Sequence, residues 1–239
     1  MYPYLTEEAS NILYNKLLSA LPSSVLQRLS PYLEEVSLVQ GQVIYQPGEI
    51  IQSVFFPHQA SISLLLTLSD QSTTEVGVVG NEGMVGLSAI LSGKNTASYS
   101  VVLISGRATK LNCEVLIDEF NKGEELQKLL LLYTQAQLNQ IAQITACQSH
   151  HVIEQRLARW LLLVRYCTNK DTLPLTQKLI SMMLGVRRAS ITEAAISLQQ
   201  SEIITYSRGQ IVIVNPQKLE AVACECYSKI IQNYNYLLD

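Results

Sequence analysis

The stretch between Leu175 and Val214 constrains the fold of this chain more than any other segment. Residues 175–184 and residues 187–201 each place apolar side chains at helical spacing. Between them, Gly185 ends the first helix at a position where a residue without a Cβ is least costly. Two Ile- and Val-rich runs then flank the turn at 207–209, as in a short hairpin. Two helices joined by a Gly-containing turn and followed by a hairpin predict a winged helix-turn-helix.

The second helix of this motif begins with two arginines, Arg187 and Arg188. In a helix-turn-helix, the N-terminal residues of the second helix meet base edges while the first helix crosses the backbone. Arginine binds guanine bidentately, and glutamate accepts from the cytosine amino group. We therefore predict groove-facing side chains at Arg187, Arg188, Ser190, Thr192 and Glu193, and phosphate contacts from Thr176, Gln177 and Arg208.

The alternative interpretation is a winged helix that docks a protein partner, with the two arginines merely solvated. The charge distribution favours DNA. Residues 1–150 hold 7 Lys+Arg against 13 Asp+Glu (net −6), whereas residues 151–239 hold 10 against 7 (net +3). The positive part contains the helix-turn-helix, as expected of a nucleic-acid-binding surface.

Short β-like runs bounded by turns fill the region from residue 36 to about 115, which also holds eight of the eleven glycines. Closely spaced strands with Gly-rich turns predict a barrel or jelly roll. A long helix is expected from about Glu124 to Ser149. Because it is apolar around much of its circumference, we expect it to pack on the β domain and on a twin helix. The twin contact is assigned to Leu126, Leu130, Tyr133, Gln137, Ile141 and Ile144; the alternative is packing within its own subunit only.

Two further helices are predicted on the C-terminal side. One runs from Ile153 to Cys167 and backs the helix-turn-helix. The other is a single amphipathic helix that Asn215 caps and that continues to Leu237, with Pro216 in its first turn. The expected fold class is therefore α+β: an N-terminal double-stranded β-helix (jelly-roll) domain at 1–122, a dimerisation helix at 123–150, and a winged helix-turn-helix domain at 151–239.

This order resembles the Crp/Fnr family of bacterial transcription regulators over nearly the whole chain. The resemblance rests on GQVIYQPGE (41–49), VGNEGMVG (79–86), EQRLARWLL (154–162) and, most specifically, LTQKLISMMLGVRRASITEA (175–194). It implies a homodimer that presents two recognition helices to successive major grooves, about 34 Å apart, on a near-palindromic operator of double-stranded DNA. It also implies an effector pocket in the β-roll, here at Gly86, Leu87, Ser88, Asn95, Thr96 and Ser98, and RNA polymerase as a candidate partner.

The chain departs from well-known relatives at the positions that define their ligands. Cyclic-nucleotide-binding relatives carry a Glu after the Gly of their phosphate cassette and later an Arg-Ser pair; here Leu87 follows Gly86, and Lys94 stands in a stretch without arginine. Lysine lacks the bidentate fork of arginine. We therefore expect control by something other than cAMP, either an unknown small molecule or no effector. An N-terminal iron–sulfur centre is not expected, because no cysteine precedes Cys113.

The recognition helix departs as well. Relatives read bases with an Arg, an adjacent Glu and a second Arg four residues further on, where this chain has Arg188, Ala189 and Glu193. The resemblance therefore implies a different half-site.

The remaining patterns predict neither an enzyme, a cofactor, a metal nor a membrane protein. Residues 147–151 combine Cys147 with His150 and His151, but two further ligands are not visible unless a twin chain supplies them. Cys224 and Cys226 would point about 200° apart on one helix, at about 100° per residue, with Cys226 in the core and Cys224 partly exposed. Five scattered cysteines without a secretion signal favour reduced thiols and a cytoplasmic location.

Overall fold

The computed structural model describes residues 14–91 and 95–238. Lys94 and the first 13 residues of the predicted β-roll domain lie outside the described residues. The first described elements are α1 (Lys16–Ser19), α2 (Ser23–Leu29) and a 3-10 turn (Ser30–Tyr32). Asn15 caps α1 by accepting hydrogen bonds from the backbone N–H groups of Leu17 and Leu18.

Seven strands form the N-terminal β-roll: β1 (Leu33–Leu38), β2 (Val43–Tyr45), β3 (Ser53–Pro57), β4 (Ser61–Thr67), β5 (Thr73–Val79), β6 (Tyr99–Ile104) and β7 (Gly106–Asn112). They form two antiparallel sheets, one in the order β1-β7-β3 and one in the order β2-β6-β4-β5. A 3-10 turn at Leu87–Ala89 interrupts the connection between β5 and β6. The predicted jelly-roll class is confirmed.

The C-terminal part is mainly helical: α3 (Cys113–Phe120), α4 (Glu125–His150), α5 (Ile153–Thr168), α6 (Gln177–Leu184), α7 (Arg188–Gln200), α8 (Pro216–Val222) and α9 (Cys226–Leu238). A small sheet of β8 (Thr172–Leu173), β9 (Ile204–Ser207) and β10 (Gln210–Ile213) has the order β8-β10-β9 and forms the wing. Helices α6 and α7 and this hairpin confirm the winged helix-turn-helix. No helix in the described ranges is both long and apolar enough to cross a membrane.

Helix α4 buries the face that the sequence assigned to a twin helix. Five of the six assigned side chains are buried within the protomer, and Ile141 is half-buried. Tyr133 donates a hydrogen bond to the Met84 carbonyl, and Gln140 bonds both backbone groups of Val78. The face exposed to solvent instead presents Leu131, Leu132 and Leu138. Sequence periodicity correctly indicated two apolar faces, but could not tell which of them meets the β-roll.

The terminal segment is two helices rather than the single predicted helix. Ala223 adopts an extended conformation (ψ 150°), which ends α8 and places Cys224 in the link before α9. The expectation that Cys224 is partly exposed is wrong, because the break turns it into the interior, where it is 4% exposed. The 200° separation expected for Cys224 and Cys226 does not apply, because they do not share a helix. The predicted cap at Asn215 and the position of Pro216 in the first turn are confirmed.

Helix α5 packs directly on the β-roll. Trp160 donates its indole N–H to Glu75 of β5 over 2.7 Å, and Ser63 of β4 donates to the other carboxylate oxygen. A Cβ at Gly80 would lie 2.4 Å from the backbone Cα of Cys167, so only glycine allows this approach of the β5 turn to α5. One apolar core therefore extends from the β-sheets through α4 and α5 into the winged motif.

The buried Glu75 carboxyl predicts a pH-dependent stability. Burial raises its pKa from 4.5 to about 7, against the lowering effects of Ser63, Trp160 and Arg159. Its stabilising contribution is therefore complete below pH 4.5 and is lost as the pH rises through about 7. Between these two pH values the wild type is expected to lose about 3 kcal/mol of unfolding free energy, which corresponds to the difference between the two pKa values. The variant Glu75→Gln has no carboxyl group at this position and should not show this loss.

The measurement is urea unfolding from about pH 5 to about pH 8, where the linked proton is released. Glu220→Gln, at an exposed carboxylate of α8, is the control and is expected to follow the wild-type pH dependence. Parallel curves for wild type and Glu75→Gln would contradict the prediction.

Candidate nucleic-acid interface

Local sequence determines where α6 begins and ends. Thr176 caps it, because its side-chain oxygen accepts the Leu179 N–H at 3.2 Å. Gly185 ends it in the left-handed region (φ 62°), and the next N–H, of Val186, returns to the Ser181 carbonyl in a Schellman arrangement. Arg156 of α5 donates to the Leu184 carbonyl at 2.6 Å, which satisfies a carbonyl at the end of α6. The turn between the two helices is therefore defined on both sides.

Polar contacts join α6, α7 and the wing on the outer surface. The Thr192 hydroxyl lies 2.9 Å from the side-chain oxygen of Gln177, and the Gln177 N–H donates to the Tyr206 hydroxyl at 3.1 Å. A Cβ at Gly209 (φ 78°) would approach Thr176 to 3.2 Å, so the wing turn lies against the beginning of α6. The predicted phosphate-contacting residues Thr176, Gln177 and Arg208 therefore share one surface.

The beginning of α7 is a solvent-exposed cationic tip, which we define as Arg187, Arg188 and the neighbouring Lys178 of α6. Arg187 is the N-cap and Arg188 is the first residue of α7, and all three side chains are exposed. Among the described residues, none of the three forms an ion pair with a carboxylate. Their charge and the positive end of the α7 dipole together attract an anion.

All eight predicted DNA-contacting residues lie at the start of α6, in or just before the first two turns of α7, or in the wing turn. Arg187, Arg188, Glu193, Thr176 and Arg208 are exposed, whereas Gln177, Ser190 and Thr192 are half-buried. The inward face of α7 is formed by Ile191, Ala195 and Leu198, as its periodicity predicts. Lys178 was not among the predicted DNA-contacting residues, although its position on the outer face of α6 could have identified it. Ile196 is exposed on the outer face of α7, where helical periodicity places it.

A cavity lies where the effector pocket was predicted, but it is small, and its described lining residues are uncharged. Its volume is about 60 Å³, and the described lining residues are Tyr45, Ile51, Leu64, Met84, Val85, Gly86, Leu87, Ser88, Thr96, Ser98, Ser100 and Gln137. Five of the six predicted residues line it. The sixth, Asn95, is exposed and pairs with Ile50 outside the cavity.

Polar side chains that line this cavity are already hydrogen-bonded within the protein. The Tyr45 hydroxyl donates to the Ser53 carbonyl and crosses the space beside Gly86, whose missing Cβ would lie 2.8 Å from that hydroxyl. The Thr96 hydroxyl is engaged with the backbone of Ser98. No cationic side chain among the described residues lines the cavity, and Lys94 lies outside them.

Comparisons with known proteins agree with this architecture. The family model described as "Cyclic nucleotide-binding domain" matches residues 35–122, and the one described as "Crp-like helix-turn-helix domain" matches residues 155–222. No curated protein sequence matches the chain.

Solved structures show the same fold at low identity. FixK2 from Bradyrhizobium japonicum is 18% identical (TM-score 0.68), with 80% of this chain and 98% of that chain covered. A CRP/FNR-family regulator from Thermus thermophilus is 17% identical (TM-score 0.61), with 80% and 98% covered. The c-di-GMP-responsive regulator CLP from Xanthomonas campestris is 12% identical (TM-score 0.61), with 80% and 99% covered. Because both family models match, in this order and on these elements, the chain belongs to the Crp/Fnr family of transcription regulators.

Proposed function

We propose that this protein is a sequence-specific DNA-binding transcription regulator that acts as a homodimer on a near-palindromic operator. The observation that carries the proposal is the cationic tip, which is exposed, unpaired with carboxylates in the described chain and located at the N-terminus of the second helix. That end of a recognition helix is the part that enters the major groove. RNA polymerase is the partner through which such a regulator would act.

The contacts divide by chemistry. Arg188 is the side chain we assign to a guanine, and Glu193, five residues further along α7 and also exposed, is assigned to a cytosine amino group. Thr176, Gln177 and Arg208, which lie together beside the wing turn, are assigned to phosphates. A carboxylate at Glu193 excludes the guanine that an arginine at this position would select, so the half-site differs from that of the well-known relatives.

The first prediction for this interface concerns Arg188→Ala. On the selected operator, the variant is expected to lose roughly 1–3 kcal/mol of binding free energy, about 5- to 150-fold in Kd, because a bidentate guanine contact disappears. On a scrambled duplex its affinity is expected to change little. Fluorescence anisotropy on both duplexes, after operator selection from random DNA, measures the difference.

Arg208→Ala is the matched control, because it removes an equal charge from the wing. We expect it to weaken both duplexes similarly and to reduce the salt dependence of binding, as for a phosphate contact. Equal losses on both duplexes for Arg188→Ala would assign this residue to a phosphate instead. Affinity that stays constant between about 50 and 200 mM salt would favour the alternative function, a winged helix that docks a protein.

The dimer contact is assigned to the exposed face of α4. Leu131, Gln135, Leu138, Ala142 and Thr145 are all exposed and follow one another at alternating steps of four and three residues. This is the 3.5-residue repeat of a coiled-coil seam. Leu131 and Leu138 are 50% and 57% exposed, although the opposite face of the helix is buried against its own chain. A two-fold axis along this face would bury both leucines of each protomer against the partner protomer.

Leu138→Glu is therefore expected to shift the protein to monomers. Removing one buried leucine from each partner weakens the dimer roughly 100-fold or more, at about 1.5–3 kcal/mol for each side chain. Sedimentation velocity over a concentration series measures the change. Val39→Glu places the same charge on an exposed residue between β1 and β2, and should leave the dimer intact; an unchanged mass for Leu138→Glu would contradict the assignment.

We further propose that cAMP and cGMP do not control this regulator. Ligand pockets usually measure about 300–1,000 Å³, whereas a volume of 60 Å³ accommodates a few water molecules. The proposal also rests on the uncharged lining of the cavity. CLP shows by its description that a regulator of this fold can respond to a different nucleotide.

Adding cAMP or cGMP is therefore expected to leave both the Tm and the operator affinity of the full chain unchanged. A ligand that binds only the folded state would raise the Tm as its concentration increases. Differential scanning fluorimetry, with a cAMP-binding regulator as positive control, provides the measurement. A concentration-dependent rise in Tm would contradict this proposal.

A further inference from the structure

Three cysteines and a histidine meet where α4 ends and α9 begins. Cys147 lies in the last turn of α4, His151 is the residue that ends α4, Cys224 lies in the link between α8 and α9, and Cys226 is the first residue of α9. Their potential ligand atoms all lie within 4.8 Å of one another. The three thiols are buried and His151 is half-buried. We define these four residues as the Cys3His cluster.

The spacing within the cluster matches the edges of a tetrahedral metal site. The Cys147 and Cys224 sulfurs are 3.5 Å apart, and the Cys226 sulfur is 3.6 Å from Nδ1 of His151. Zinc bonds of about 2.3 Å to sulfur and about 2.0 Å to nitrogen place two sulfurs about 3.8 Å apart and a sulfur and a nitrogen about 3.5 Å apart. A polynuclear iron–sulfur cluster would hold its cysteines further apart than a single ion does, because they bind different irons.

The surrounding residues orient the ligands as metal sites require. Nε2 of His151 lies 3.2 Å from a carboxylate oxygen of Glu225, so it carries the proton and leaves the Nδ1 lone pair directed at the cysteines. A carboxylate that holds the outer nitrogen of a histidine is a common second shell of zinc. The Gln143 side-chain amide donates to the Cys226 sulfur at 3.0 Å, as to a thiolate.

The charge balance also favours a bound cation with thiolates. Arg159 lies near enough to Cys147 for its positive charge to act on the sulfur. Arg159 is 2% exposed, and its Nε and Nη1 have no hydrogen-bond partner among the described residues. Three thiolates and one neutral imidazole around a divalent ion leave one negative charge, which this buried guanidinium compensates.

We propose that the Cys3His cluster binds one zinc ion per protomer as a closed structural site, with Cys147, His151, Cys224 and Cys226 as its four ligands. Thiolate-rich tetrahedral sites select zinc among the common divalent ions, and four protein ligands leave no open position for catalysis. The sequence analysis considered Cys147 with His150 and His151 and looked for further ligands in a twin chain. The fold instead supplies them from the same chain, while His150 is exposed.

The ion would fasten the terminal helix α9 to the joint between α4 and α5. Only Val152 separates His151 from the first residue of α5. Two of the ligands therefore precede α5 and the winged motif in the chain, and the other two follow them. Because an assembled site is absent from the unfolded chain, metal binding adds to the free energy of folding.

The test uses the full chain purified under reducing conditions. Inductively coupled plasma mass spectrometry is expected to find one zinc per protomer, and removal by a chelator is expected to lower the Tm. Titrating the stripped wild-type protein with Co²⁺ should produce thiolate-to-cobalt charge transfer and the intense visible bands of a tetrahedral ion, saturating at one equivalent. Wild-type protein that contains no stoichiometric zinc and gives only a weak octahedral cobalt spectrum would overturn the proposal.

Variants locate the site. Cys224→Ser and His151→Ala are expected to lose the ion. The matched controls Cys113→Ser, which changes a buried cysteine next to the β-roll, and His150→Ala, which changes the adjacent histidine, should retain it. Zinc retained by both ligand variants would overturn the assignment. Should these variants unfold, the wild-type cobalt spectrum still decides. A Cys147–Cys224 disulfide in metal-free protein, detected by mass spectrometry after alkylation without reductant, would also overturn it.

Discussion

The burial of α5 is the constraint on which the rest of the structure depends. Every residue of this helix from Arg156 to Val164 is buried, so the helix must be covered on several sides at once. The β-roll covers one side through Trp160 and Glu75, and the winged motif covers another. A helix with apolar residues around its whole circumference has no stable position at a surface. The sensor-like and DNA-binding parts are therefore held together by one shared core, rather than by a linker alone.

Sequence reasoning succeeded where a single residue type has a local physical reason. Gly185 requires a left-handed conformation, and Thr176 supplies a hydroxyl to an otherwise unpaired N–H, so both ends of α6 were predictable from neighbours in the chain. Reasoning failed where the outcome depends on partners distant in sequence. Both faces of α4 are apolar, and only the fold determines that Tyr133 faces Met84. The break at Ala223 has neither a glycine nor a proline to announce it, so Cys224 was placed on the wrong surface.

The β-roll of this chain matches a cyclic nucleotide-binding domain, and the cavity at its predicted effector site measures only about 60 Å³. Gly86 keeps the left-handed turn that begins the short 3-10 segment, but Tyr45 occupies the space beside it. The adjoining helix contributes Gln137 to the cavity wall and Tyr133 to the core behind it. A polar network that is already satisfied within the protein gives an incoming ligand little to bind, because each new contact would replace an existing one.

The joint between α4 and α5 connects the two parts of the molecule through contacts that can be followed atom by atom. His151 ends α4, Ile153 begins α5, and one turn later Arg156 donates to the carbonyl of Leu184 at the end of α6. The next residues after Leu184 are the turn and the arginines that begin α7. A change in how α9 is fastened at His151 therefore alters the support of the helix-turn-helix without touching DNA. Helix α4 also presents the exposed Leu131 and Leu138 on its opposite face. In the homodimer that we propose, the same helix would set both the spacing of the two protomers and the orientation of each recognition helix.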